Sequence, residues 1–135
     1  MQARGMLVRR LRAAALAIAG SCFATTGVAA PSLQECFEGS DFIVNAALSR
    51  DAGVPAAQFL ERLEGDFLLV RAFPSELRWF VHDDGDEALL LAATQRVYGQ
   101  PLPPEMHRRQ FLNACLERIA MIAPDSEALI APGSR

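Results

Sequence analysis

The residues of this chain best suited to redox or metal chemistry are its cysteines and its two histidines. Cys36 and Cys115 stand far apart, so they do not form the C-x-x-C spacing of a thiol redox site. A zinc site would have to combine both cysteines with His82 and His107, and none of the paired ligand spacings of zinc sites is present. The third cysteine, Cys22, lies in a predicted export signal described below, and its removal leaves two cysteines. In an exported protein, two remaining cysteines predict a structural disulfide, here between Cys36 and Cys115, and no metal.

An acidic cluster, His-Asp-Asp-Gly-Asp-Glu, begins at His82. A calcium-binding EF-hand loop needs oxygen ligands at alternate positions ahead of its invariant glycine. When Gly85 is placed at that glycine, Phe80 and His82 fall on two of the ligand positions, and neither is a calcium ligand. The cluster is therefore interpreted as an acidic turn in which Asp84 or Asp86 caps a helix.

Carboxylates beside apolar residues could catalyse glycoside hydrolysis, in which one carboxylic acid needs a raised pKa. Glu38, Glu76 and Glu117 have such neighbours, but the sequence does not pair them. There is no G-x-S-x-G motif, and His107 is followed by two arginines, which indicates a solvated polar helix face rather than a catalytic base. We predict no enzymatic activity, no catalytic residue and no cofactor, with a small envelope hydrolase as an alternative.

The stretch 71–81 (RAFPSELRWFV) combines aromatic residues with arginines, the residue types that dominate protein-binding hot spots. We predict that this stretch faces a protein partner. The candidate partner-binding residues are Arg71, Phe73, Arg78, Trp79 and Phe80. The alternative is that these aromatic residues belong to the core. Adjacent residues of one helix point in different directions, so we expect at least one of Trp79 and Phe80 to be less buried.

The first 30 residues of the chain have the layout of a secretory signal peptide. They comprise a positive start, an apolar or small stretch over 13–24, and small residues at 27–30. The positive start consists of Arg4, Arg9, Arg10 and Arg12. The apolar stretch is shorter than the about 20 residues that span a membrane. We predict that residues 1–30 are the signal, that cleavage follows Ala29 or Ala30, and that the protein is periplasmic or secreted.

Removal of the predicted signal leaves a more acidic protein. The full chain has a net charge of −3 with 16 acidic residues, and four arginines but no acidic residue lie in the signal. An acidic protein lacks the basic face that binds nucleic-acid phosphates or anionic lipid. We expect an unknown protein partner in the cell envelope and no nucleic acid. A membrane becomes a partner only if Cys22 is lipidated, which is the alternative to its removal with the signal.

Residues 31–123 are predicted to form one all-α domain, because no stretch of useful length alternates with the period of a strand. After two helices, a short helix is expected over 76–81, a third main helix over 87–98 and a last one over 105–122. These elements make a small bundle of four main helices and one short helix, with the first and last helices joined by the disulfide. Residues 124–135 are expected to be a flexible tail.

The first two helices have recognisable ends. Ser32 and Glu35 match a capping box at the start of the first helix, and Gly53 suits the left-handed residue that ends it. The second helix begins near Pro55. It includes the apolar run 67–70, because this run continues the preceding apolar stripe in phase.

Three groups of residues follow one another along the chain: Cys36-Phe37-Glu38-Gly39, then Asn45-Ala46-Ala47-Leu48-x-Arg50-Asp51-x-Gly53, then Phe111-Leu112-x-x-Cys115. This order resembles small exported all-helical proteins of proteobacteria that have two cysteines and no assigned function. The resemblance covers most of residues 33–120. It implies a helical scaffold with a cysteine in its first and last helices, and it transfers no catalytic residue.

The sequence therefore favours an exported, non-enzymatic periplasmic module that binds another protein, such as an inhibitor, an immunity-type protein or an envelope-assembly factor. The main alternative is an acid-activated periplasmic holdase chaperone. Acid neutralises the carboxylates and leaves the arginines charged, so self-repulsion could open the fold and expose apolar surface.

Overall fold

The structure, a computed structural model, describes residues 30–123. The predicted signal with Cys22 and the predicted tail 124–135 lie outside these residues. The described chain forms four α-helices, one short 3-10 turn and no strand, which confirms the all-α class. The helices are α1 (Leu33–Asp51), α2 (Ala56–Val70), α3 (Asp84–Gly99) and α4 (Pro104–Ile122). Between residues 30 and 123, none of the helices has the length and apolarity of a membrane span.

Helix α1 has the ends that the sequence predicts. Ser32 Oγ accepts the N–H of Glu35 at 3.1 Å, and Glu35 Oε2 accepts the N–H of Ser32 at 2.7 Å, so the capping box is complete. Gly53 has a φ of 87°. This left-handed conformation suits glycine and ends the helical path of the chain.

Helix α2 begins after Pro55 and continues without a break to Val70, so the run 67–70 is helical as predicted. Its buried residues are Leu63 and Phe67. α2 packs chiefly on α3, and a tilted contact between the rings of Phe59 and Phe42, with centroids 6.0 Å apart, links it to α1. α2 is therefore the outermost of the four helices.

The prediction of a short helix over 76–81 is wrong. The structure has only a 3-10 turn, Ser75–Leu77, and Arg78 after it is extended. Phe80 has a φ of 58°, and a left-handed residue cannot continue a right-handed helix. The N–H of Phe80 donates to Glu35 Oε1 on α1 at 2.9 Å instead of to a helical carbonyl. A tertiary hydrogen bond thus takes the place of the predicted helix.

The prediction that Asp84 or Asp86 caps α3 is also wrong. The cap is Asp83, whose Oδ1 accepts the N–H of Asp86 at 2.9 Å. Asp86 reaches back to the N–H of Asp83, so the two residues form a second capping box. α3 consequently starts at Asp84, ahead of the predicted start at Glu87.

The disulfide between Cys36 and Cys115 joins α1 to α4 as predicted, with the two Cα atoms 5.7 Å apart across a sequence separation of 79. α1 packs along α4 and α3, and α3 also contacts α2 and α4. The close approach of α1 and α4 depends on Gly39. A Cβ atom at Gly39 would lie 2.7 Å from the ring of Phe111 and 3.2 Å from the ring of Phe80, so only glycine lets these rings lie against α1.

Candidate functional site

The structure divides the predicted partner-binding aromatics between surface and core. Phe73 is 57% exposed and Trp79 is 42% exposed, whereas Phe80 is fully buried. The expectation that one of the two adjacent aromatics is less buried is confirmed. The assignment of Phe80 to a partner-facing surface is wrong, because its ring packs on that of Phe111 with 5.5 Å between centroids.

Trp79 is exposed on one side and anchored on the other. Its indole N–H donates to Glu38 Oε2 on α1 at 2.7 Å. Its ring also makes tilted contacts with Phe42 at 6.4 Å and Phe80 at 5.8 Å between centroids. Such aromatic pairs contribute about 0.5–1.5 kcal/mol each beyond buried area. Trp79 is thus held in place while part of its ring remains in solvent.

Glu35 holds the backbone next to Trp79. Its carboxylate accepts the N–H groups of Ser32 and Phe80, and it also contacts His82. Burial raises the pKa of Glu35, but these hydrogen bonds outweigh burial, so the pKa lies below its ordinary value of 4.5. The left-handed conformation of Phe80 costs on the order of 1–3 kcal/mol. The hydrogen bond to Glu35 and the burial of the Phe80 ring offset that cost.

His82 connects the 3-10 turn to α1, through Ser75 and Glu35. Its Nδ1 lies 2.8 Å from the carbonyl oxygen of Ser75, and its Nε2 lies 3.0 Å from Glu35 Oε1. Burial lowers the pKa of His82, but the Ser75 carbonyl and the Glu35 carboxylate outweigh burial and raise it above its ordinary value of 6.5. His82 therefore carries its proton more readily than a free imidazole.

Arg78 uses its guanidinium within its own loop. Nε donates to the carbonyl oxygen of Phe73 at 2.7 Å, and Nη2 donates to that of Arg71 at 3.1 Å. These bonds close the turn that follows α2 and fix the position of Phe73. The structure thus gives Arg78 a role in shaping the loop.

Arg71 marks one side of a groove between α2 and α3. Its Nε donates to Glu87 Oε1 at 2.6 Å, and a second nitrogen binds the other oxygen of Glu87, so the ion pair is bidentate. The groove has a volume of about 470 Å³. It is lined by Glu64, Phe67, Leu68, Arg71, Asp84, Glu87, Ala88 and Leu91. Four of these residues are apolar, three are acidic and one is an arginine.

Further apolar side chains are exposed where α2 ends. Leu68 and Leu69 lie in its last turns and Leu77 lies in the 3-10 turn, where it is 73% exposed. Together with Phe73 they make four exposed apolar side chains within ten residues of chain, which we call the apolar patch: Leu68, Leu69, Phe73 and Leu77. Leu68 also lines the groove, so the patch adjoins the groove at this residue. The three leucines were not among the predicted partner-binding residues, although adjacent helical residues such as Leu68 and Leu69 cannot both face the core.

Two of the carboxylates considered for glycoside hydrolysis, Glu38 and Glu76, have a lowered pKa. The pKa of Glu38 is lowered by hydrogen bonds from Gln34 and Trp79, and the pKa of Glu76 is lowered by its own backbone N–H and by Ser75. A general acid for glycoside hydrolysis needs the opposite direction. Within residues 30–123, no group of three or more acidic, histidine or cysteine ligands is arranged to hold a metal ion.

The prediction of a solvated His107 is wrong, because the side chain is buried. Its Nε2 lies 3.0 Å from the carbonyl oxygen of Gln100 and 3.3 Å from Arg50 Nη1. Burial lowers the pKa of His107, and the charges of Arg50 and Arg96 lower it further. Arg50 also donates to the carbonyl oxygen of Leu102 at 3.0 Å. His107 and Arg50 thus hold the connection between α3 and α4.

Comparison of the chain with protein-family models, with curated proteins and with solved structures found no match.

Proposed function

We propose that this chain is an exported, non-enzymatic module that binds another protein of the cell envelope through the apolar patch and the adjoining groove. In this proposal its helices form a small bundle in which α1, α3 and α4 make the support and α2 presents the surface. The observation that carries the proposal is the exposure of Leu68, Leu69, Phe73 and Leu77 in one short stretch of chain. Exposed apolar groups gathered in one place favour an interaction site.

The charges around the patch favour a particular partner. Glu64 and Asp84 line the groove, and neither forms an ion pair with another residue between 30 and 123. The single arginine of the groove, Arg71, is bound to Glu87. We therefore propose a partner segment whose apolar side chains cover the patch and whose arginine or lysine side chains face Glu64 and Asp84.

The surface is tested with Phe73→Ser and Leu77→Ser combined in one chain. We expect this variant to unfold at the same temperature as the wild type, since both side chains are exposed, and to lose capture of the partner from envelope extracts. The matched control is Met121→Ser, because Met121 is 71% exposed and lies on α4, which carries no residue of the patch. Equal capture by the two variants, or equal loss, would exclude the patch as the binding surface.

The partner chemistry is tested on the captured protein. We expect its affinity to fall with added salt and with Glu64→Gln and Asp84→Asn, because exposed charges are screened by salt. An affinity that is indifferent to salt and to both substitutions contradicts a basic partner segment. A wild-type protein that is dimeric, and a patch variant that is monomeric, would show a second copy of this chain on the patch and overturn the proposed partner.

The acid-activated holdase is a second candidate, favoured by the carboxylates that fasten the segment 79–82 to α1. Glu35 and Glu38 accept hydrogen bonds from this segment, and protonation makes each carboxyl group a weaker acceptor. Both have a pKa lowered from the ordinary value of 4.5, so these hydrogen bonds weaken as the pH falls through the lowered folded values. Light scattering of an aggregating client protein tests this candidate. Protection at about pH 3 and not at about pH 7 supports it, and protection at neither pH excludes it.

A further inference from the structure

His82 has both ring nitrogens against acceptors. Nδ1 faces the carbonyl oxygen of Ser75 at 2.8 Å, and Nε2 faces the two carboxylate oxygens of Glu35 at 3.0 and 3.1 Å. A carbonyl oxygen and an ionised carboxylate accept hydrogen bonds and donate none. A neutral imidazole has one N–H and can satisfy only one of these two partners. The observed arrangement is therefore that of a doubly protonated, positively charged His82.

The groups around His82 favour that charge from every element that packs on it. Glu35 faces the ring from α1, and Glu76 acts on it from the 3-10 turn. Asp86 of α3 accepts the backbone N–H of His82 at 3.0 Å, and Arg118 of α4 binds Asp86 on its other side. The carboxylates of Glu35, Glu76 and Asp86 thus all favour the charged imidazole, and the guanidinium of Arg118 is bound to Asp86.

The same contacts position the turn that carries Leu77 of the apolar patch. Ser75 is the first residue of the turn that carries Leu77. Glu35 Oε1 accepts both the His82 ring and the N–H of Phe80, at the other end of this segment. His82 therefore ties the start of the turn to the residue of α1 that also holds its end.

We propose that His82 is a proton-controlled switch of the partner surface, which fixes the turn carrying Leu77 when the ring is charged and releases it when the ring is neutral. On deprotonation one proton passes to solvent. Nε2–H stays with Glu35, so the bare Nδ1 lone pair then faces the Ser75 carbonyl oxygen and repels it. The start of the turn loses this attachment to α1, while the Phe80 N–H stays on Glu35, and Leu77 loses its fixed position in the patch. This regulation rests on the proposed function, whereas the conformational change itself does not.

The switch is tested by nuclear magnetic resonance on ¹⁵N-labelled protein purified after export, titrated from about pH 5 to about pH 9. We expect both ring nitrogens of His82 to be protonated at the acid end and its midpoint to lie above the ordinary value of 6.5. The backbone amide signals of Leu77 and Arg78 should move with the same midpoint. A His82 midpoint at or below 6.5, or amides of the turn that do not follow it, would overturn the proposal.

Variants separate His82 from the other histidine. We expect His107→Gln to leave the transition of the turn in place and His82→Gln to abolish it. Glu35→Gln keeps an acceptor oxygen and removes the charge, so the ratio of charged to neutral His82 at a given pH should fall about tenfold or more. A transition of the turn that persists in His82→Gln contradicts the switch. The wild-type titration decides the question even if a variant does not fold.

The outcomes distinguish the switch from the proposed function. If the turn follows His82 while Phe73→Ser with Leu77→Ser captures the same proteins as the wild type, the switch stands and the binding surface is excluded. If the patch variant loses its partner while the turn ignores His82, the surface stands and the switch is excluded.

Discussion

Arg118 on α4 binds the carboxylate of Asp86 on α3, with 2.6 Å between Nε and Oδ1. Asp86 is fully buried and also accepts the N–H of His82. The Nη2 atom of the same arginine donates to Asp83 Oδ1, again at 2.6 Å. One guanidinium thus binds both members of the capping box of α3 and ties the start of that helix to α4.

Replacing this arginine is expected to destabilise the fold strongly. Arg118→Met leaves the buried Asp86 without a counter-ion, which should lower the free energy of unfolding by about 3–5 kcal/mol in urea titrations. Adding Asp86→Asn should recover part of the loss. The control is Arg108→Met, whose pair with Asp41 is exposed and should contribute less than about 1 kcal/mol. Similar losses for the two arginines would contradict this assignment.

Two glycines inside helices are expected to respond to alanine with opposite signs. Gly39→Ala places a methyl group 2.7 Å from the packed ring of Phe111 and should lower the free energy of unfolding by about 1–3 kcal/mol. Gly65 has nothing within 4 Å of the added Cβ, so Gly65→Ala should raise that free energy by about 0.5–1 kcal/mol. Thermal unfolding of both variants checks the pair, and a stabilised Gly39→Ala would refute the close packing.

The two histidines are expected to shape the pH dependence of stability from opposite sides. The pKa of His82 is raised in the fold, so its contribution is complete below 6.5 and is lost as the pH rises through the folded value. The pKa of His107 is lowered, so its contribution is complete above 6.5 and is lost as the pH falls through the folded value.

Free energies of unfolding between about pH 5 and about pH 9 check these signs. Relative to the wild type, His82→Gln should remove a decline on the alkaline side. His107→Gln should remove a decline on the acid side. If the two variants change the same side of the profile, one of the two contact sets is misassigned.

The disulfide is expected to be a main source of stability. It closes a loop of 79 residues, and the loss of chain entropy in the unfolded state predicts about 4–5 kcal/mol for a loop of this size. Replacing both buried cysteines, with Cys36→Ala and Cys115→Ala in one chain, should lower the free energy of unfolding by that amount. Wild type with reductant is the control and should unfold like the double variant. Unfolding that is indifferent to reductant would show that the bridge is not formed.

Features set by neighbouring residues were predictable from the sequence. The capping box of α1 needs only Ser32 and Glu35, and the stop at Gly53 needs only its own backbone freedom. The helical state of 67–70 follows from the phase of one apolar stripe. The pairing of Cys36 with Cys115 is an exception, because the two residues are 79 positions apart and the pairing followed from the prediction of export and from the number of cysteines.

Features set by distant residues were not predictable in this way. The stretch 76–81 has the composition of a helix, but Glu35, which lies 45 positions before Phe80, takes the N–H of Phe80. His107 is followed by arginines in sequence, yet Arg50, 57 positions away, forms its environment. The groove between α2 and α3 belongs to neither helix alone, so no pattern within one segment could indicate it.

The outer position of α2 has a consequence for how the molecule opens. α1, α3 and α4 contact one another, and the disulfide joins α1 to α4, whereas α2 packs chiefly on α3. In native-state hydrogen exchange, α2 should therefore behave as a separate cooperative unit that opens at lower free energy than the rest. Such sub-global opening leaves the disulfide between α1 and α4 intact and exposes the buried residues Leu63 and Phe67. A partner seated on α2 would slow exchange there, because binding raises the free energy of this local opening.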